Sequence, residues 1–228
     1  MATGSCSAAF FDIDGTLTRT NIVIYYVALA LKGRRAISKT VWYAGFAFKV
    51  VLFLILDKIS RRWFNVFFYR GYRGCTTTEL DSVAGENFKK ITHPRLFASG
   101  AQQIKEHQDS GEIVVFVTGT LDVIAAPLAE LLGVEHVMSV SLSERDGVCT
   151  GGLTGPPLSD VEKARRVREF ADEHDIDLSA SFAYGDSAAD RAMLEAVGNP
   201  VAVNPDRSLG AHAKEHGWQV RHWADSSH

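Results

Sequence analysis

The sequence predicts an α/β protein, a parallel sheet with helices on both faces, interrupted after its first strand by an all-helical insertion. Two observations predict it. Short apolar runs of strand length alternate with amphipathic helical patterns over most of the 228 residues, as expected where helices make the crossovers of a parallel sheet. Residues 21–94 instead carry long apolar and aromatic helical runs without alternating strands. At roughly 100 to 200 residues per domain, the length fits one sheet domain with a large insertion. The expected core is 1–20 with 95–228, and the expected insertion is 21–94.

The first strand is AAFFDI (8–13), a short apolar run with an aromatic pair. Within the insertion, Thr76 and Glu79 have capping-box spacing, and Thr92-His93-Pro94 marks the return to the core. EIVVFVT (112–118) is β-branched and ends at a glycine, and LDVIAAPLAELLG (121–133) follows as a helix. TGGLTGPP (150–157) reads as a loop, leading to a helix over 159–175 capped by Ser159 with Glu162. SFAYGD (181–186) and PVAV (200–203) are further strands, followed by helices over 187–198 and 207–217. Three of the four strands end in a polar, glycine-containing turn: DIDGT, TGT and GDS. Ligands of open parallel sheets bind beyond the carboxyl ends of the strands, so these turns are the candidate site.

A 46% apolar and 22% charged composition excludes a disordered chain. Cys6, Cys75 and Cys149 are odd in number and far apart, which indicates neither a disulfide framework nor a clustered zinc site. The first residues lack the basic start and long apolar stretch of a secretory signal. A reducing, cytoplasmic location is expected.

Asp12-Ile13-Asp14-Gly15-Thr16 comes directly off the first strand. One carboxylate could act as a nucleophile and the other as a general acid. Alone, the motif also fits a calcium-type loop or a polar strand end. The other strand ends add the rest. Thr118-Gly119 supplies a hydroxyl and an open backbone N–H suited to phosphate oxygens. Lys163 in the first turn of a helix is a fixed cation for a phosphoryl group. Asp186 and Asp190 form an oxygen-rich half-site for magnesium. An anion cradle beside clustered acids is electrostatically reasonable with a bound cation.

The set DIDGT, VTGT, Lys163 and GDSAAD, in that order, resembles the four motifs of the haloacid dehalogenase superfamily. These are magnesium-dependent phosphohydrolases with an aspartate nucleophile on a Rossmann-like sheet. The resemblance runs from residue 8 to the C-terminus. An insertion after the first motif is similar to the helical type 1 cap of the subgroup containing phosphoserine phosphatases. The resemblance implies a phosphoric monoester hydrolase in which Asp12 attacks phosphorus and Asp14 moves the proton. It implies that Thr118, Gly119 and Lys163 bind the phosphoryl group, that Asp12, the Asp14 carbonyl and Asp186 hold Mg2+, and that Asp190 orients its waters. Dehalogenating relatives lack an acid at the place of Asp14. Phosphoserine phosphatases generally carry a Glu shortly after the first motif to receive the substrate's ammonium, whereas LTRTNIVIYY here has Arg19 and Asn21 and no acid.

The net charge of −3 hides a division. Residues 32–73 hold ten Lys and Arg and the single acid Asp57, a net +9 that leaves −12 elsewhere. The same segment holds eleven of the 23 aromatics. Its run VWYAGFAFKVVLFLIL (41–56), at 1.5 Å per residue, would reach about 24 Å, short of the ~30 Å hydrocarbon core of a membrane. One reading is the apolar interior of a small helical cap. Another is a peripheral surface for anionic lipid built from Lys58, Arg61, Arg62 and Trp63, with a phosphorylated lipid or other amphiphile as substrate. Phosphoserine or another small metabolite is the alternative substrate, and a catalytically silent membrane-surface or anion-binding protein the alternative class. Nucleic acid is not favoured, since the segment is largely apolar and carries no nucleic-acid motif. His212 and His216 stand at i, i+4 and read as surface residues of the last helix.

Overall fold

The computed structural model describes residues 6–31 and 68–224. Lys58, Arg61, Arg62, Trp63 and the run 41–56 lie outside the described residues. The described strands are β1 (Ala8–Phe11), β2 (Ile113–Leu121), β3 (His136–Val140), β4 (Leu142–Arg145), β5 (Val148–Leu153), β6 (Phe182–Gly185), β7 (Asn199–Val203) and β8 (Gln219–Arg221). The described α-helices are α1 (Ile22–Leu31), α2 (Thr77–Asn87), α3 (Ala98–Asp109), α4 (Asp122–Leu132), α5 (Val161–Glu173), α6 (Arg191–Leu194) and α7 (Arg207–Glu215). A π-turn over Phe88–Thr92 and a 3-10 turn over His93–Arg95 join α2 to α3.

Six strands form one sheet in the order β3-β2-β1-β6-β7-β8, with every pair parallel. Successive residues of β1 point to opposite faces. Ala8 and Phe10 pack with Val167 and Phe170 of α5, while Ala9 and Phe11 pack with Ile104 of α3 and Leu128 of α4. A strand covered on both faces needs no polar alternation, which is why AAFF is apolar throughout. The chain winds outward from β1 to β3, then crosses back to β6 and winds outward the other way. The crevice that such a reversal opens lies at the carboxyl ends of β1 and β6.

Four strands and one helix add to those the sequence predicts. β3 and β8 are the sheet's edges and are less buried than its central strands, and so carry no strong apolar run. TGGLTGPP is a loop only in its second half. Its first half, through Leu153, lies in β5, paired antiparallel with β4. The two-residue turn between them, Asp146-Gly147, has φ of +53° and +73°, the backbone of a type I′ hairpin. α3 has a polar composition and buries Gly100, Ile104 and His107.

Two predicted helix starts also change. α5 begins at Val161 with Asp160 as N-cap, at φ +52° and without a side-chain cap bond. The Glu162 carboxylate instead accepts from Arg165 Nε at 2.9 Å, so the Ser159 capping box is not formed. The stretch 187–198 is not one helix but a 3-10 turn over Ala188–Asp190 followed by the single turn α6. The Thr76–Glu79 capping box is present as expected.

Candidate active site

Residues 13–18 turn sharply off β1. Gly15 N donates to Thr18 O at 2.7 Å, and Leu17 N to Ile13 O at 2.9 Å. Gly15 sits at φ +91°, and a Cβ there would stand 2.2 Å from Asp186 Oδ2. The turn therefore requires glycine twice, for its left-handed backbone and for the approach of the β6 carboxylate. It leaves Asp12 and Asp14 at the mouth of the crevice. Asp12, Asp14, Thr118, Gly119, Lys163, Asp186 and Asp190 all line one cleft of about 360 Å³. A separate hollow of about 550 Å³, lined by Glu195, His216 and Trp218 among others, includes none of them.

The cleft floor is ionic. Lys163, 3% exposed, donates from Nζ to Asp12 Oδ1 at 2.6 Å and to Asp190 Oδ1 at 2.7 Å. Burial works against the Lys163 charge, but the two carboxylates outweigh it and hold the ammonium above its ordinary range. Burial pushes Asp12 up to about 7, aided by Asp190 and opposed by Lys163. Asp190 is held below the usual carboxylate range because Lys163 overcomes its burial. Its other oxygen accepts from Ser187 N at 3.1 Å and Ser187 Oγ at 3.0 Å, which fixes its orientation. Asp186 is pushed up to about 9 by burial and by the neighbouring Asp12 and Asp190.

Carboxylate oxygens of Asp12, Asp186 and Asp190 lie within 4.8 Å of one another. A hard divalent cation takes such oxygen donors and removes the repulsion that raises Asp186. The donor set therefore fits magnesium.

The wall of the cleft is built from hydroxyls. Asp14 accepts from Thr20 Oγ1 at 2.6 Å through Oδ1 and from the Thr120 hydroxyl through Oδ2. Burial pushes Asp14 up, with the two hydroxyls and then Lys163 pulling against it. Thr118 is fully buried, and its Oγ1 accepts from Thr120 N at 3.1 Å, which leaves its own hydrogen to give. Gly119 O accepts from the Tyr69 hydroxyl. Thr20, Thr120 and Tyr69 are the functional neighbours that motif reading passes over. The second threonine of TGT was the available signal for Thr120; Tyr69 carries none, being one aromatic among many.

His212 and His216 do not join the cleft. Their rings stack at the carboxyl end of α7, centroids 3.9 Å apart, with His212 Nε2 3.1 Å from Glu195 Oε1. The three cysteines are free thiols. Among the described residues no helix is long and apolar enough to cross a membrane.

The family described as haloacid dehalogenase-like hydrolase matches residues 9–195. A probable phosphatase of Mycobacterium tuberculosis (strain ATCC 25618 / H37Rv) is 33% identical over 225 residues, covering 94% of this chain and 74% of its own. A protein named phosphoserine phosphatase SerB1 from the same organism is 30% identical over 226 residues, covering 94% of this chain and 70% of its own. A crystal structure of a Bordetella pertussis Tohama I protein, described as of unknown function, superposes with a TM-score of 0.82 at 25% identity, covering 95% of this chain and 98% of the other.

Proposed function

This chain belongs to the haloacid dehalogenase-like hydrolase family and is a phosphatase, and from that premise we propose a magnesium-dependent phosphomonoesterase working through an aspartyl-phosphate. The observation that carries the reading is the pairing of Lys163 with Asp12 at 2.6 Å, beside an Asp14 held by hydroxyls. The Lys163 ammonium opposes the burial that raises Asp12 and so favours the ionised form that a nucleophile needs. Asp14 is raised by burial with only neutral hydroxyls in contact, so it can carry the proton that the leaving oxygen takes.

Asp12 attacks phosphorus, the bond from phosphorus to the ester oxygen breaks, and Asp14 gives its proton to that leaving oxygen. A water then attacks phosphorus, Asp14 takes the water's proton, and the bond from phosphorus to Asp12 breaks to release phosphate and the free carboxylate. The Thr118 hydroxyl and Gly119 N–H bind phosphoryl oxygens, and Lys163 offsets their charge. Asp12, Asp186 and the Asp14 carbonyl would hold magnesium, with Asp190 orienting its waters; bound there, the ion neutralises charge on the phosphoryl group.

For the substrate we favour an amphiphile or phosphorylated lipid over an amino-acid phosphate, met by a cytoplasmic protein at the membrane periphery. On the insertion side the cleft is lined by Asn21 and Ile22. The Asn21 carboxamide oxygen accepts from Val23 N and Ile24 N, each at 3.1 Å. No acid stands in LTRTNIVIYY to receive an ammonium, and the net +9 segment 32–73 favours anionic surfaces. Phosphoserine is the second reading, supported by the relative named phosphoserine phosphatase.

Two assays test the proposal. Hydrolysis of 4-nitrophenyl phosphate should stop on chelation and return with magnesium, and turnover undiminished by chelator contradicts the metal assignment. A phosphomonoester screen should then prefer lysophosphatidic acid or phosphatidylglycerophosphate over phosphoserine. Dominant phosphoserine turnover overturns the substrate reading.

A further inference from the structure

We infer that Tyr25 and Thr92 are positioning residues for proton transfer, acting through Thr20 on Asp14. This rests on the reading of Asp14 as the proton donor. Tyr25 lies on α1 and Thr92 closes the π-turn, so they stand 67 residues apart on the outgoing and returning legs of the segment between β1 and β2. Both are buried, as are Thr18 and Thr20.

Four groups make one polarised chain. Thr20 Oγ1 donates to Asp14 Oδ1 at 2.6 Å, which spends its single hydrogen. Its oxygen is then the acceptor for the Tyr25 phenol at 3.0 Å. With that hydrogen spent as well, the 3.2 Å contact between Tyr25 and Thr92 runs from the Thr92 hydroxyl to the phenol oxygen. Thr18 braces the chain from the side, its Oγ1 2.5 Å from Thr20 Oγ1 and 3.3 Å from Ile13 O. All three hydrogens of the chain point toward Asp14, and hydrogen bonds aligned this way strengthen one another. The orientation of the Asp14 carboxyl is thereby tied to the position of both legs.

A purely structural role for these hydroxyls would satisfy buried polar groups and no more. The two roles part on the leaving group. Protonation matters most when the departing oxygen is basic and little when it is a good leaving group. The measurement is kcat/KM for 4-nitrophenyl, phenyl and benzyl phosphate, three similar esters of rising leaving-group basicity. Asp14→Asn should discriminate steeply against benzyl phosphate. Tyr25→Phe, which keeps the ring, should raise the preference for 4-nitrophenyl over benzyl phosphate about tenfold, a fraction of the 10²–10⁴ that general acid catalysis supplies. Thr92→Val should move it the same way by about threefold, and the double variant no further than Tyr25→Phe, because the groups act in series. Thermal melts identify the variants that fold, and Thr92→Val decides the matter if Tyr25→Phe does not. Equal loss on all three esters, or no loss, overturns the inference while a steep Asp14→Asn response leaves Asp14's role standing. A flat Asp14→Asn response removes the proton-donor reading itself.

Discussion

The floor and the wall of the cleft each hold a carboxylate, two residues apart in sequence, by opposite means. On the floor Asp12 meets a buried ammonium at 2.6 Å. On the wall Asp14 accepts from two threonine hydroxyls, and Lys163 acts on it more weakly than they do. A full positive charge in contact works against burial and favours the ionised acid, whereas neutral donors orient an acid without forbidding it a proton. One motif thus gives its two carboxylates different partners, because different elements supply them: α5 for Asp12, and the segment after the turn and β2 for Asp14.

The comparison breaks most completely at the nucleophile. Asp12→Asn should lower kcat by at least roughly 10⁴-fold, the scale of deleting a covalent nucleophile, with an unchanged fold by circular dichroism; a loss under tenfold would place the nucleophile elsewhere. Lys163→Met should cost roughly 10²–10³ in kcat and about 3–5 kcal/mol in denaturant unfolding, since Asp12 and Asp190 lose their shared cation. The stability loss separates the floor from the wall. Thr120→Val should leave stability closer to wild type and lower kcat/KM roughly fivefold, the worth of one hydrogen bond at about 1 kcal/mol. At the small end, His212→Ala and His216→Ala should leave phosphatase activity within about twofold, as substitutions outside the cleft do.

Much of the floor was legible in the sequence, because Asp12 and Asp186 stand just past strand ends and Lys163 in a first helical turn. Chain position there decides side-chain position. The wall was not. Thr20 and Thr120 meet Asp14 through a turn and a neighbouring strand, and no periodicity records such contacts. The Ser159 cap failed for a related reason: Asp160 N is drawn to Ala189 O at 2.9 Å and Glu162 to Arg165, tertiary and local partners that outbid the capping box. The β4–β5 hairpin was signalled by its Asp-Gly pair, overshadowed by the glycine-rich stretch that follows.

The central claim is that Asp12, and not Asp14, carries the phosphoryl group. Acid quenching during turnover of 4-nitrophenyl phosphate, then borohydride reduction and peptide mass spectrometry, reads it directly. Conversion of residue 12 to homoserine, with Asp14 unchanged, is the predicted result; reduction at Asp14, or at neither aspartate while turnover proceeds, would contradict it.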